Sequence, residues 1–367
     1  MILATPGPVE IPYFVRETYL KDTIHHRTPE FKEILTDTLN RFSKITKLPF
    51  NVFLSSSGTG AMEAAVINSV KNKALSVNAG KFGERWGKIC KAFGIEYKEL
   101  KYDWDTPAQV DDVIAAIKED ENIDTLFIQI SESAGGLRHP VEEIAAEVKL
   151  IRDDIIIVAD GITALGVEDI DTSNIDIVVG GSQKAFMLPP GLSMLGLSEK
   201  ALERIGDGRG FYFNLANEIK KQQQGTTAFT PATGLIIALN EVLKKLDEIG
   251  LENHYKNTAN RHKALLAAIE AIGLNIFPQN PALSMAAVFS EKAEDIRKIL
   301  KTKYEINVAG GQDHMKGKLF RINNMGIIED NKMMYILNSL ELALDELGIR
   351  KYNGSAVKVY SSEKLKV

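Results

Sequence analysis

Short, nearly continuous apolar runs recur through the N-terminal half of the chain, and stretches of helical period fill the gaps between them. The runs are Asn51–Ser57, Ala74–Gly80, Asp124–Ser131, Ile155–Asp160, Ile175–Gly180 and Leu192–Leu197. Several are rich in β-branched residues, the pattern of strands buried on both faces. Helical period marks Thr59–Lys71, Phe82–Phe93, Ala108–Lys118 and Pro140–Ile151. Strand and helix in alternation predict an α/β fold with a mainly parallel sheet between helices.

After about Pro231 the texture changes. Long helical patterns over Ala232–Ile249 and His254–Ile272 precede a strand-like Ser284–Phe289, a helix near Ala293–Tyr304, a strand-like Leu319–Asn323 and a helix near Asp330–Leu347. This predicts a smaller α+β domain. The expected division is an N-terminal segment (1–20) beside the substrate pocket, a large domain (21–245), a small C-terminal domain (246–349) and a polar, Lys-rich, loosely packed tail (350–367). At about 150 residues per domain, 367 residues suit this division.

Composition narrows the function classes. With 44 Lys and Arg against 49 Asp and Glu, the net charge is −5, which argues against nucleic acid or an anionic membrane as the main partner. The single cysteine, Cys90, excludes an internal disulfide and a cysteine-based zinc site, and suits a reducing, cytoplasmic setting. No signal-peptide pattern and no run of transmembrane length are visible. No metal site is expected: the pair His25-His26 lacks a third ligand and reads as a pocket-edge or structural feature.

Four features could carry chemistry. In Phe53–Glu63 a strand runs through Ser57-Gly58-Thr59-Gly60 into a helix, where free amides and the positive end of the helix dipole favour a phosphate; an ordinary capped turn fits equally. Asp160 ends the run IIIVAD, where open α/β sheets bind ligands, although it could be a helix N-cap. Lys184, in GGSQK after IDIVV, could be a desolvated nucleophile or a surface lysine at a strand end. Arg321 interrupts an apolar strand and offers a fork for a carboxylate, or a partner for a salt bridge. Together the four suit one ligand with a phosphate, a ring nitrogen and a carbonyl, as pyridoxal 5′-phosphate has, with Arg321 left for the α-carboxylate of an amino acid.

The same residues carry a family likeness. TPGP at Thr5–Pro8, HHRTPEF at His25–Phe31, SGTG at Ser57–Gly60, NAG at Asn78–Gly80, FGER at Phe82–Arg85, ESAGG at Glu132–Gly136, Asp160, GSQK at Gly181–Lys184, PPG at Pro189–Gly191, Thr230-Pro231 and Arg321 cover nearly the whole chain to about residue 345. The chain resembles the class V aminotransferases of the fold-type I pyridoxal-phosphate enzymes, nearest in pattern to alanine–glyoxylate and serine–glyoxylate or serine–pyruvate aminotransferases. The resemblance implies that Lys184 forms the Schiff base and moves the proton, and that Asp160 pairs with the ring nitrogen. It implies that Ser57, Gly58, Thr59 and Gln183 hold the phosphate, that Phe82 stacks on the ring where relatives often have Trp, and that Ser133 and Ile162 line the cofactor. Thr227 and Thr230 would reach the phosphate of a neighbouring subunit, which implies a homodimer. Arg321, with Pro6, Gly7 and Pro8, would hold the substrate.

The implied activity is amino transfer from alanine or serine to glyoxylate or pyruvate. Phosphoserine or aspartate could replace the donor. Arg138, His139 and Lys81 keep that open, for Arg138 and His139 are either solvated loop residues or the reader of a second anion. A lyase is disfavoured, because a desulfurase needs a mobile cysteine and Cys90 sits in a helical pattern that reads as buried and structural. A non-catalytic homologue would have no need of Lys184.

Overall fold

The computed structural model describes residues 1–366; Val367, the last residue of the expected tail, lies outside the described residues. Seven strands form the large sheet: β1 (Phe50–Leu54), β2 (Lys73–Asn78), β3 (Glu96–Lys101), β4 (Ile123–Gln129), β5 (Ile156–Asp160), β6 (Ile177–Gly181) and β7 (Ser193–Leu197). Their order is β1-β7-β6-β5-β4-β2-β3. All neighbours are parallel except β7, which runs antiparallel to both β1 and β6. β4, β5, β6 and β7 are buried along their whole length, which is why they read as continuous apolar runs. Apolar clusters cover both faces of the sheet. The edge strand β3, EYKELK, carries no such run; its charged side chains suit an edge that must stay unpaired with other chains.

Between these strands run helix α1 (Gly58–Ser69) and helix α2 (Gly83–Ala92), each starting within a few residues of a strand's C-terminal end. A second sheet follows, with β8 (Asn275–Ile276), β9 (Met285–Phe289), β10 (Ala309–Gly310) and β11 (Leu319–Asn323) in the antiparallel order β8-β9-β11-β10. Helices α3 (Leu251–Ala271), α4 (Ala293–Lys303) and α5 (Asp330–Glu346) close a separate apolar core with it. The N-terminal Ile2–Leu3 pairs in parallel with Ile306–Asn307, so the first residues belong to this second core.

The C-terminal segment corrects the expectation of a loose tail. Residues Ser355–Leu365 form helix α6, with Ala356 and Tyr360 fully buried in the second core. The Tyr360 hydroxyl donates to Asp330 Oδ1 at 2.7 Å, and the Glu341 carboxylate accepts from the backbone N–H groups of Asn353, Ser355 and Ala356 at the start of α6. Two apolar side chains one turn apart on a polar helix leave almost no periodic signal, yet they anchor it.

Candidate active site

The large sheet brings several expected residues to one edge. β1 ends before Ser57, β2 before Phe82, β4 before Ser133, β5 at Asp160, and β6 three residues before Lys184. These are the carboxyl ends of the strands, where open sheets leave a crevice.

Lys184 is buried, and its Nζ donates to the Pro6 carbonyl oxygen at 2.7 Å. The Val9 N–H donates to the Gln183 carbonyl at 3.1 Å, so the N-terminal segment is laid across the lysine. Gly7 lies closest: a Cβ there would fall 2.3 Å from Lys184 Nζ, and its φ of +112° is one that glycine tolerates. Burial first, and then the Arg321 charge, push the Lys184 amine down to about 8; Asp160 opposes them. The neutral amine, the form that attacks a carbonyl, is thus close to hand at neutral pH.

Asp160 is fully enclosed. Its Oδ1 accepts from the Ile162 N–H at 2.9 Å, which leaves Oδ2 without a protein partner among the described residues. Burial pushes its carboxyl up to about 6, against the pull of Arg85 and Lys184. Ile162 packs in the floor nearby, since a Cβ on Gly58 would meet its Cδ1 at 2.5 Å.

At the α1 N-terminus, Ser57 is the N-cap by position, yet its side chain caps no backbone N–H. Ser55 and Ser56 are engaged elsewhere: Ser55 Oγ accepts from the Ala232 N–H, and Ser56 Oγ bonds Ser193 Oγ. The Ser57 hydroxyl and the N–H groups of Gly58 and Thr59 therefore lack partners among the described residues, at the positive end of a helix, while the Thr59 hydroxyl accepts from Arg85. Gln183 Oε1 is buried and bonded to no protein group.

Arg321, in the middle of β11, approaches from the second sheet. Its Nη1 donates to the Ser133 carbonyl at 2.6 Å, and Nη2 donates to the Gly310 carbonyl at 2.7 Å. Nε is buried without a partner, and no carboxylate pairs with the guanidinium among the described residues. Burial pushes it down to about 10, opposed by Glu132. An unpaired buried guanidinium is suited to receiving an anion.

Arg85 is a residue that sequence reasoning passed over. It donates from Nη1 to Thr59 Oγ1 at 2.9 Å and lies 4.7 Å over the Phe82 ring, without an ion-pair partner among the described residues. Its signal was the spacing from Phe82: three residues apart at a helix start place both on one face.

Other expectations fail to join the site. Arg138 is neither a solvated loop residue nor an anion reader: Glu142 and Glu168 enclose its guanidinium, at 2.6 and 2.8 Å. His139 is fully buried, accepts from the Ala108 N–H through Nδ1 at 3.0 Å, and is pushed down to about 4 by burial and the neighbouring Arg138 charge. It is neutral at pH 7 and offers no charge to a ligand. Lys81 is paired with Asp313 and Glu84. Thr227 turns its hydroxyl to the Phe229 carbonyl, and Thr230 is exposed; neither bonds another candidate residue of the same chain. Cys90 is buried, and burial raises its thiol to about 12, which leaves it unreactive.

The family profile for class V aminotransferases matches residues 14–328. The chain belongs to the class V aminotransferase family. It is 46% identical over 358 residues to an "uncharacterized aminotransferase" of Helicobacter pylori, covering 97% of both chains. It is 29% identical over 371 residues to the serine–glyoxylate aminotransferase of Hyphomicrobium methylovorum, covering 96% of this chain and 92% of that one. Among solved structures, the aspartate aminotransferase of subgroup IV from Thermus thermophilus superposes with a TM-score of 0.88 at 29% identity, covering 94% of this aminotransferase and 99% of that chain. The fold is that of the type I pyridoxal-phosphate enzymes, and pyridoxal 5′-phosphate is the cofactor of this family. The free Asp160 oxygen and the uncapped α1 N-terminus fit such a group.

Proposed function

We propose that this aminotransferase moves an amino group from a small neutral L-amino acid, alanine or serine, to a small 2-oxo acid, glyoxylate or pyruvate, in two half-reactions at one site. When bound, pyridoxal phosphate supplies the carbonyl that takes the amino group and the ring that absorbs negative charge from the substrate Cα. Lys184 would hold the cofactor through its Nζ and would move the proton at the substrate Cα. Asp160 keeps a proton on the ring nitrogen. Ser57, Gly58, Thr59 and Gln183 hold the phosphate; Phe82 stacks on the ring; Ser133 and Ile162 line it. Arg321 grips the carboxylate that donor and acceptor share, with Gly7 and Pro8 lining the same space. Thr227 and Thr230 serve the site of a second copy, so the working form is a twofold homodimer. Residues 21–245 then hold the cofactor, and 246–349 bring Arg321 to it.

The observation that carries this reading is geometric: Lys184 and Asp160 are buried at the carboxyl ends of neighbouring strands, and Arg321, buried and without a carboxylate among the described residues, is tied by Nη1 to the Ser133 turn that follows β4. The choice of a neutral donor rests on Arg138 and Lys81, whose charges are already matched by carboxylates. The likeness to a serine–glyoxylate aminotransferase agrees with it. A second reading, aspartate as donor, is favoured by the unpaired Arg85 and by the likeness to an aspartate aminotransferase.

The test is a steady-state comparison of alanine, serine, aspartate and phosphoserine with glyoxylate as acceptor. Alanine or serine should exceed the two acidic donors in kcat/KM by about tenfold or more, since an unmatched second anion at a desolvated site costs at least about 1.4 kcal/mol. Higher kcat/KM for aspartate would replace the neutral-donor reading with the one through Arg85.

A further inference from the structure

Glu132 is a buried carboxylate to which the reading above gives no task. It is fully enclosed and pairs with no Lys, Arg or His among the described residues. Its Oε2 accepts from the Phe82 N–H at 3.0 Å and the Gly83 N–H at 2.8 Å, the first amides of α2. Its Oε1 accepts from the Ala134 N–H at 2.9 Å. That bond closes the turn whose Ser133 carbonyl receives Arg321 Nη1. Room for the carboxylate comes from Gly80, where a Cβ would fall 2.5 Å from Glu132 Cδ.

A helix cap alone explains only half of this. Capping α2 needs one oxygen, and a solvated Ser or Asp at the N-cap would do it without burying a charge. The second oxygen faces the other wall of the pocket. Burial first, and then the Asp160 charge, push its carboxyl up to about 7, while the three N–H groups it accepts from pull the other way; its charge in turn supports that of Arg321.

We propose that Glu132 is a positioning residue that ties the wall carrying Phe82 to the turn carrying Ser133, and so sets Arg321 to receive the substrate carboxylate. The proposal rests on the assignment of Arg321 made above. Glutamine at 132 has one accepting terminus, so it can serve one wall but must turn an N–H₂ toward the amides of the other. Aspartate keeps the charge but, one carbon shorter, cannot span both walls.

The test uses the holoenzyme and two reagents that attack the same cofactor carbonyl, hydroxylamine and aminooxyacetate, of which only the second carries a carboxylate. The readout is the ratio of their second-order rate constants, followed by loss of the visible cofactor band. Arg321→Lys removes the bidentate fork and should lower the aminooxyacetate-to-hydroxylamine ratio by about tenfold or more. Glu132→Gln and Glu132→Asp should each lower it about tenfold as well, with the hydroxylamine rate within about twofold of the parent. KM for both substrates should rise more than kcat falls. If Arg321→Lys lowers the ratio but Glu132→Asp keeps the parental value, or slows both reagents alike, Glu132 is only a helix cap and the proposal fails. If Arg321→Lys leaves the ratio unchanged, it is the assignment of Arg321 that fails. Should Glu132→Gln not fold, Glu132→Asp alone decides.

Discussion

Lys184 Nζ donates to the Pro6 carbonyl oxygen at 2.7 Å, a bond between groups 178 residues apart in sequence. It fixes the amine at the end of β6 by means of a segment that bridges the two cores, with Ala4 packed in the second and Val9 in the first. The N-terminal TPGP is thereby part of the lysine's environment, and the environment is what lowers the amine.

The first prediction concerns that segment. Gly7→Ala places a methyl against Lys184 Nζ at a positive φ. Strain at such a backbone position costs about 1–3 kcal/mol of stability, read from denaturant unfolding. Displacing the amine by about an ångström should lower kcat roughly 100-fold. Unchanged kcat would mean that the lysine does not need this contact.

The second concerns pH. Because burial lowers Lys184 to about 8, its neutral fraction in the cofactor-free protein grows as pH rises through that value and is nearly complete above it. The rate at which apoenzyme captures pyridoxal phosphate should climb with pH and level off above about 8. A rate still climbing toward pH 10 would show an ordinary lysine.

The third concerns Arg85, which links Thr59 to the Phe82 ring. Arg85→Gln should weaken cofactor binding by about tenfold to a hundredfold, the scale of one charged hydrogen bond of about 1.5–3 kcal/mol, in a fluorescence titration of apoenzyme. A loss of substrate affinity with cofactor binding intact would place Arg85 on the substrate side and favour an acidic donor.

The fourth concerns the C-terminal helix. Tyr360 is buried and hydrogen-bonded to Asp330, so Tyr360→Ala should cost about 3–5 kcal/mol in denaturant unfolding. A cost near zero would mean that α6 is dispensable to the second core.

The parts of this molecule that were legible in its sequence are those where one physical demand dominates. Strands buried on both faces must be apolar throughout, so β4, β5 and β6 stood out, and Asp160 and Lys184 could be placed at their ends. Arg321 stood out because it breaks an apolar strand. What escaped notice is what depends on tertiary context. The polar edge strand β3 has one neighbour and no apolar face to announce it. Glu132 sits in ESAGG, where Ser133 is the residue with an expected role, and nothing in the motif announces that the neighbouring carboxylate accepts from the amides of two loops. Arg138 looked like a charge in search of an anion because its partners, Glu142 and Glu168, are set by the fold, and Glu168 is 30 residues away.

The central claim is amino transfer at Lys184, and an absorbance titration of the holoenzyme tests it most directly. L-alanine or L-serine alone should bleach the visible cofactor band, and glyoxylate or pyruvate added afterwards should restore it, whereas Lys184→Ala should show neither change. A band that no amino acid bleaches, or a protein that forms no visible band with added pyridoxal phosphate, would contradict the account.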